Sequence, residues 1–152
     1  VGQDSSLMAQ QLKEETADWD NIFFTGTVDR EEIHRLLTKG DVLICPSRED
    51  PMPTVAAEAM MHSLPCILSD AAGTAEYICD GRDGFVFPCQ NASKLAEKIG
   101  WCINHCDCLY SMGAEARKIY VSRFSSDVFE RELVKLTDAC LNSAHNGAER
   151  DF

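Results

Sequence analysis

The sequence predicts an α/β fold built on a parallel sheet. Short, almost wholly apolar runs of strand length alternate with amphipathic stretches of helical length, and after Pro88 only helical patterns remain. In order, the pattern predicts a helix from Ser5 to about Ala17, a strand over 22–25 and a helix over 29–39. A strand over 41–46, a helix over 54–62, a strand over 65–69, a short helix near 74–79 and a strand over 85–87 come next. Helices over 91–104, 109–122 and 125–142 close the chain, the last one opened by Ser125-Ser126-Asp127, which is an N-cap signal. Strands apolar along their whole length are buried on both sides, so the expected arrangement is a Rossmann-like parallel sheet with helices on both faces and a C-terminal helical extension. Phe129, Leu133, Leu136 and Cys140 give the last helix an apolar face, which covers either this domain's own sheet or a partner domain. One domain is expected over 1–142, with a flexible tail over 143–152.

Composition narrows the function classes. With 152 residues, 45% hydrophobic and 26% charged, the chain has the make-up of an ordinary globular domain with a single core. No apolar run approaches the roughly 20 residues of a membrane span and nothing reads as a leader, so the expectation is a cytoplasmic domain that is not membrane-inserted. A net charge of -11 repels nucleic acid and anionic membrane surfaces alike. Of the eight cysteines, Cys45 and Cys66 lie inside apolar strands as small hydrophobes. The cluster Cys102, His105, Cys106 and Cys108 holds no C-x-x-C pair, so neither a metal site nor a disulfide framework is expected.

The densest chemistry lies in Pro46 to Glu58, PSREDPMPTVAAE. It joins the apolar run DVLICP to the Ala-rich TVAAEAMM and is therefore a strand-to-helix turn, the place where open α/β sheets bind ligands. Pro53 suits the first helical position, and the N–H groups of Thr54 and Val55 then stand free at the positive end of the helix, which favours an anion. Asp50 before the helix and Glu58 one turn into it flank that anion, and two carboxylate acceptors suit vicinal hydroxyls. Arg48 is the one basic residue beside the motif and reads as a solvated surface side chain.

At these residues the chain resembles the donor-binding, C-terminal half of the retaining glycosyltransferases of family 4, which have the GT-B fold. That family carries two acids separated by seven residues, in a P-S-x-x-E-G-F-P-N-V-x-x-E-A-M run. DPMPTVAAE followed by Ala59-Met60 matches it, with Asp50 for the first Glu and Pro51 for a Gly. Glu49 is the rival first acid, at eight residues from Glu58. The resemblance runs in order from Val1 to Leu141. Val1-Gly2 is similar to a strand end entering a glycine turn, and IFFTGTV to the strand and loop over the nucleotide base. Gly73-Thr74-Ala75-Glu76 is similar to the family's G-x-x-E, and DGRDGFVFP to its D-G-x-x-G-x-x-x-P hairpin.

The resemblance implies Asp50 and Glu58 as the catalytic pair, orienting sugar and ribose. It also implies Gly26, Thr27, Val28, Met52, Thr54, Val55, Gly73 and Glu76 as substrate-binding residues. It implies an NDP-sugar donor with no metal or other cofactor, transfer to a glycan or lipid-linked acceptor as in polysaccharide biosynthesis, and an N-terminal domain completing the cleft. The full-length protein would be peripheral at a membrane or free in the cytoplasm. Two other readings share this fold: a non-catalytic interaction or ligand-sensing module, and half of an NDP-sugar epimerase.

Overall fold

The computed structural model of the chain describes residues 6–148, with side chains through 141, as two compact units that divide between Lys39 and Gly40. In the smaller unit, α1 (Leu7–Glu15) is capped by the Ser6 hydroxyl, which accepts the Ala9 N–H at 3.1 Å. Helix α2 (Arg30–Lys39) is capped by the Asp29 carboxylate, which accepts the Glu32 N–H at 2.8 Å. The strand expected over 22–25 is not formed. Those residues have no ladder partner among the described residues, and Phe23 is 82% exposed. Apolar, β-prone composition makes a strand only where a neighbour takes its backbone N–H and C=O groups.

The larger unit carries three parallel strands, β1 (Leu43–Cys45), β2 (Cys66–Ser69) and β3 (Gly84–Phe87), adjacent in the order β1-β2-β3. Leu43 stands opposite Cys66, and Cys66 opposite Gly84. All four residues of β2 are buried, as a central parallel strand requires. Side chains alternate between faces. Ile67, Phe85 and Phe87 form one core with Cys102, Leu109 and Met112 from α4 (Ala92–Asn104) and α5 (Cys106–Ile119). Each such large side chain removed from water contributes about 1.5–3 kcal/mol. On the opposite face, α3 (Thr54–Met61) packs on β1 and β2 through the buried Ala56, Ala59 and Met60. Burial pushes the Cys66 thiol up to about 12, and the neighbouring Cys45 adds to the shift.

The DGRDGFVFP motif builds the turn into β3. Gly81 takes φ +81°, and a Cβ on Gly84 would lie 2.6 Å from the Cys66 carbonyl oxygen. The Asp83 carboxylate is fully buried and accepts the Cys79 N–H at 2.7 Å and the Arg82 guanidinium at 2.8 Å. That hydrogen bond holds the Arg82 guanidinium above its usual pKa. Asp80 accepts the Val86 N–H at 2.9 Å and pairs with Lys98 at 2.9 Å.

The helical extension departs from the sequence expectation at four places. Helix α5 begins at Cys106 rather than at 109, because His105 alone turns the chain: its Nδ1 lies 2.8 Å from the Trp101 carbonyl and its ring stacks on Trp101 at 4.4 Å. A π-helical turn, Tyr120–Phe124, follows α5. Helix α6 (Ser126–Ala148) starts where the serine signal puts it, but the Ser125 hydroxyl donates back to the Val121 carbonyl at 3.0 Å instead of capping the new helix. It runs to Ala148 rather than ending at 142, and residues 149–152 of the expected tail lie outside the described ones. Phe129, Leu133 and Leu136 are exposed, so this apolar face does not cover the sheet. Among the described residues no helix is long and apolar enough to cross a membrane.

Candidate functional site

Three loops leave the C-terminal ends of the strands, and backbone and side-chain hydrogen bonds tie them together. The loop after β1 is joined to the loop after β2: Asp50 N–H donates to the Ala71 carbonyl at 3.3 Å, and Gly73 N–H to the Asp50 carbonyl at 2.9 Å. This is a one-residue parallel bridge between Asp50 and Ala72. The Ser69 hydroxyl donates to the Ser47 carbonyl. The loop after β3 is joined to the second loop by the Cys89 N–H, which donates to Asp70 Oδ1 at 2.7 Å.

Gly73 sits where the first two loops cross. A Cβ there would lie 1.9 Å from the Pro51 carbonyl oxygen, so only glycine permits the approach. Gly73 therefore supplies closeness of backbone, and its N–H is engaged by Asp50 rather than turned toward a ligand. Thr74 beside it is fully buried, and its Oγ1 has no hydrogen-bond partner among the described residues.

Pro53 is the residue before the helix, not its first residue. Its ψ of 107° is extended, it gives no side-chain cap, and α3 begins at Thr54. The Ala56 N–H donates to the Pro53 carbonyl at 3.1 Å, which leaves the Thr54 and Val55 N–H groups without a partner among the described residues. Glu58 follows Thr54 by one helical turn and so shares its face, with its side chain leaning toward the helix start. It is half-buried, and its carboxylate makes no hydrogen bond or ion pair among the described residues.

Asp50 is also half-buried, fixed at its backbone by the bridge and at Oδ1 by the Met52 N–H at 3.1 Å; Oδ2 has no partner among the described residues. Glu49 is exposed and outside the bridge. The structure thus brings Asp50, Met52, Thr54, Val55, Glu58 and Gly73 into one rim, with Glu76 exposed on the 3₁₀ turn Gly73–Tyr77. Gly26, Thr27 and Val28 belong to the smaller unit, where Gly26 takes φ +63°. Sequence reasoning missed Ser69, Asp70 and Cys89 as the ties between loops. The available signal was a pair of polar residues, Ser69-Asp70, closing an otherwise apolar strand.

The arrangement offers two N–H donors at a helix start without partners among the described residues, one unpaired carboxylate on the first turns of the same helix and one carboxylate oxygen on the preceding loop. An anion would be held by the donors and the helix dipole, and hydroxyl groups by the carboxylates. A cavity away from this rim has different chemistry. It is an apolar groove of about 300 Å³ along the outer edge of β1, lined by Val42, Ile44, Ile99 and Ile103, with Asp41 at its margin.

Fold and rim together define one half of a GT-B fold, and solved structures agree. Sucrose-phosphate synthase from Thermosynechococcus elongatus superimposes with a TM-score of 0.82 at 21% identity, over 93% of this chain and 37% of that one. Anabaena HepE in complex with UDP and glucose gives a TM-score of 0.75 at 20% identity, over 87% of this chain and 36% of that one. The chain belongs to the family described as glycosyl transferases group 1, whose sequence profile matches residues 1–119. Spore coat protein SA of Bacillus subtilis is 31% identical over 107 residues, 69% of this chain and 28% of that protein. The Staphylococcus aureus capsular polysaccharide biosynthesis glycosyltransferase CapM is 25% identical over 104 residues, 68% of this chain and 27% of that protein. The chain therefore spans little more than a quarter of these curated relatives.

Proposed function

We propose that this chain is the donor-binding half of a retaining glycosyltransferase of family 4, which moves a sugar from an NDP-sugar to a glycan or lipid-linked acceptor. The observation that carries the reading is the pair of N–H groups at Thr54 and Val55 without partners among the described residues, with the Glu58 carboxylate on the same helix and Asp50 on the preceding loop. Membership of the glycosyl transferases group 1 supports it, as does the likeness of the fold to proteins solved with UDP and with UDP-glucose.

In this reading the Thr54 and Val55 N–H groups and the α3 dipole stabilise the diphosphate, where negative charge grows as the glycosidic bond breaks. Glu58 accepts hydrogen bonds from the ribose hydroxyls, and Asp50, rather than Glu49, accepts from the sugar because the bridge fixes its backbone. Met52 and Glu76 border the sugar. No cofactor beyond the donor is required by these roles. The acceptor site belongs to the rest of the protein, so this chain alone binds donor without transferring sugar. The protein acts in the cytoplasm or at its membrane face.

An NMR titration of the chain with UDP tests the reading. A dissociation constant on the order of a millimolar is expected, about 4 kcal/mol of binding free energy, because a helix end alone supplies only about half a positive charge to the diphosphate. Shifts should centre on Met52 to Glu58, and Glu58→Gln should weaken binding several-fold with the fold intact. Equal binding by the Glu58→Gln chain would overturn the assignment.

A further inference from the structure

Arg48 stands apart from every other Lys or Arg described in the larger unit. Arg82, Lys94, Lys98 and Lys118 are ion-paired with Asp83, Glu97, Asp80 and Glu115, and Arg131 and Lys135 share Glu132. Arg117 and Arg123 lie over the rings of Tyr120 and Tyr77. Arg48 has no such partner among the described residues, although the chain carries 25 acidic residues against 14 basic ones. It borders a cavity of about 310 Å³ at the C-terminal ends of β1 and β3, with Pro46, Phe87, Gln90, Asn91 and Leu95.

The lining divides by chemistry. Pro46, Phe87 and Leu95 are apolar. The Gln90 amide has no partner among the described residues, and Asn91 commits its Oδ1 to the Lys94 N–H at 3.0 Å, which leaves its NH₂ to donate. The loops on either side are pinned together: Cys89 N–H donates to Asp70 at 2.7 Å, and Cys89 Sγ lies 3.8 Å from the Ser47 carbonyl oxygen and 3.9 Å from that of Arg48. Ligand sites begin at about 300 Å³, room for one small sugar. A guanidinium fork together with amide donors suits a planar or tetrahedral oxyanion, and apolar lining residues suit the C–H face of a sugar ring.

We propose that this cavity binds an anionic sugar, its carboxylate or phosphate ester held by Arg48 with the Gln90 and Asn91 amides. This binding site does not rest on the transferase reading above.

The test is an amide-shift titration of the chain with glucuronate, with glucose 6-phosphate, with glucose and with inorganic phosphate, repeated on Arg48→Gln. At least one charged sugar should give saturable shifts at 46–48 and 89–92, and whichever of the two binds tighter names the anion. Glucose should give none, inorganic phosphate should bind more weakly than the charged sugar, and Arg48→Gln should weaken binding roughly tenfold. No saturable shift by either charged sugar, an unchanged response in Arg48→Gln, or equal affinity for inorganic phosphate, which would mark an exposed cation only, would each overturn the proposal. UDP titrated into the same Arg48→Gln sample reports on the donor rim separately, so loss of one site is distinguishable from loss of the other.

Discussion

Replacing Gly73 by Ala tests whether the crossing of the two loops holds the proposed donor rim in place. The added Cβ would stand 1.9 Å from the Pro51 carbonyl oxygen and 2.8 Å from its carbonyl carbon, and neither atom is the end of a flexible side chain. The loops must part, which breaks the Gly73 N–H to Asp50 bond of 2.9 Å and strains the Asp50 N–H to Ala71 bond of 3.3 Å. Overpacking of about 1–3 kcal/mol, with roughly 1 kcal/mol for a lost hydrogen bond, gives a destabilisation of about 2–4 kcal/mol. Urea unfolding measures it directly, as a fall in midpoint at unchanged slope. Gly113→Ala is the matched control: its Cβ would stand 1.9 Å from the Ser63 carbonyl oxygen, where α5 crosses the end of α3, away from the rim. Both variants should lose stability, with Gly113→Ala recovering up to about 1 kcal/mol from helix propensity. Only Gly73→Ala should lose affinity for an NDP-sugar under conditions where both are folded. A Gly73→Ala chain as stable as the parent would refute the steric reasoning, and one that binds an NDP-sugar undiminished would refute the role of the crossing.

Two further outcomes follow from buried groups. The Thr74 hydroxyl is fully buried without a partner among the described residues, so Thr74→Val should be neutral or stabilising by about 1 kcal/mol in the same unfolding assay, and a marked loss of stability would show that the hydroxyl is satisfied in solution. The Cys66 thiol is raised from 9.0 to about 12, so the folded chain holds that proton where the unfolded chain releases it. Its contribution to stability is full below pH 9.0 and is lost as pH rises from there toward 12. Cys66→Ala should therefore flatten the alkaline limb of the stability profile, and Cys66 should be among the last thiols labelled by a maleimide under native conditions.

Most of the larger unit was legible because its elements satisfy themselves locally. The strands 41–46, 65–69 and 85–87 are apolar and short, and each pairs with its sequence neighbour, so pattern and ladder agree. The run at 22–25 has the same composition and forms no strand, since pairing depends on a neighbour that composition does not reveal. The candidate rim was legible in part through residue type: the sequence starts the helix at Pro53, one residue before its first residue Thr54, and sets two acids at a spacing that puts both near that start. What pins the rim was not. The Ser69, Asp70 and Cys89 bonds join loops far apart in sequence, and Gly73 reads as a flexible turn until the Pro51 backbone is seen against it. The start of α5 was hidden for a similar reason, since only the stacking of His105 on Trp101 lets one residue turn the chain.

Determining the structure of this chain with a bound UDP-sugar would test the central claim most directly. The account predicts the diphosphate over the Thr54 and Val55 N–H groups, the ribose hydroxyls on the Glu58 carboxylate and the sugar facing Asp50 Oδ2. A nucleotide lying elsewhere, for instance along the groove of Val42, Ile44 and Ile103, with Glu58 untouched, would contradict it.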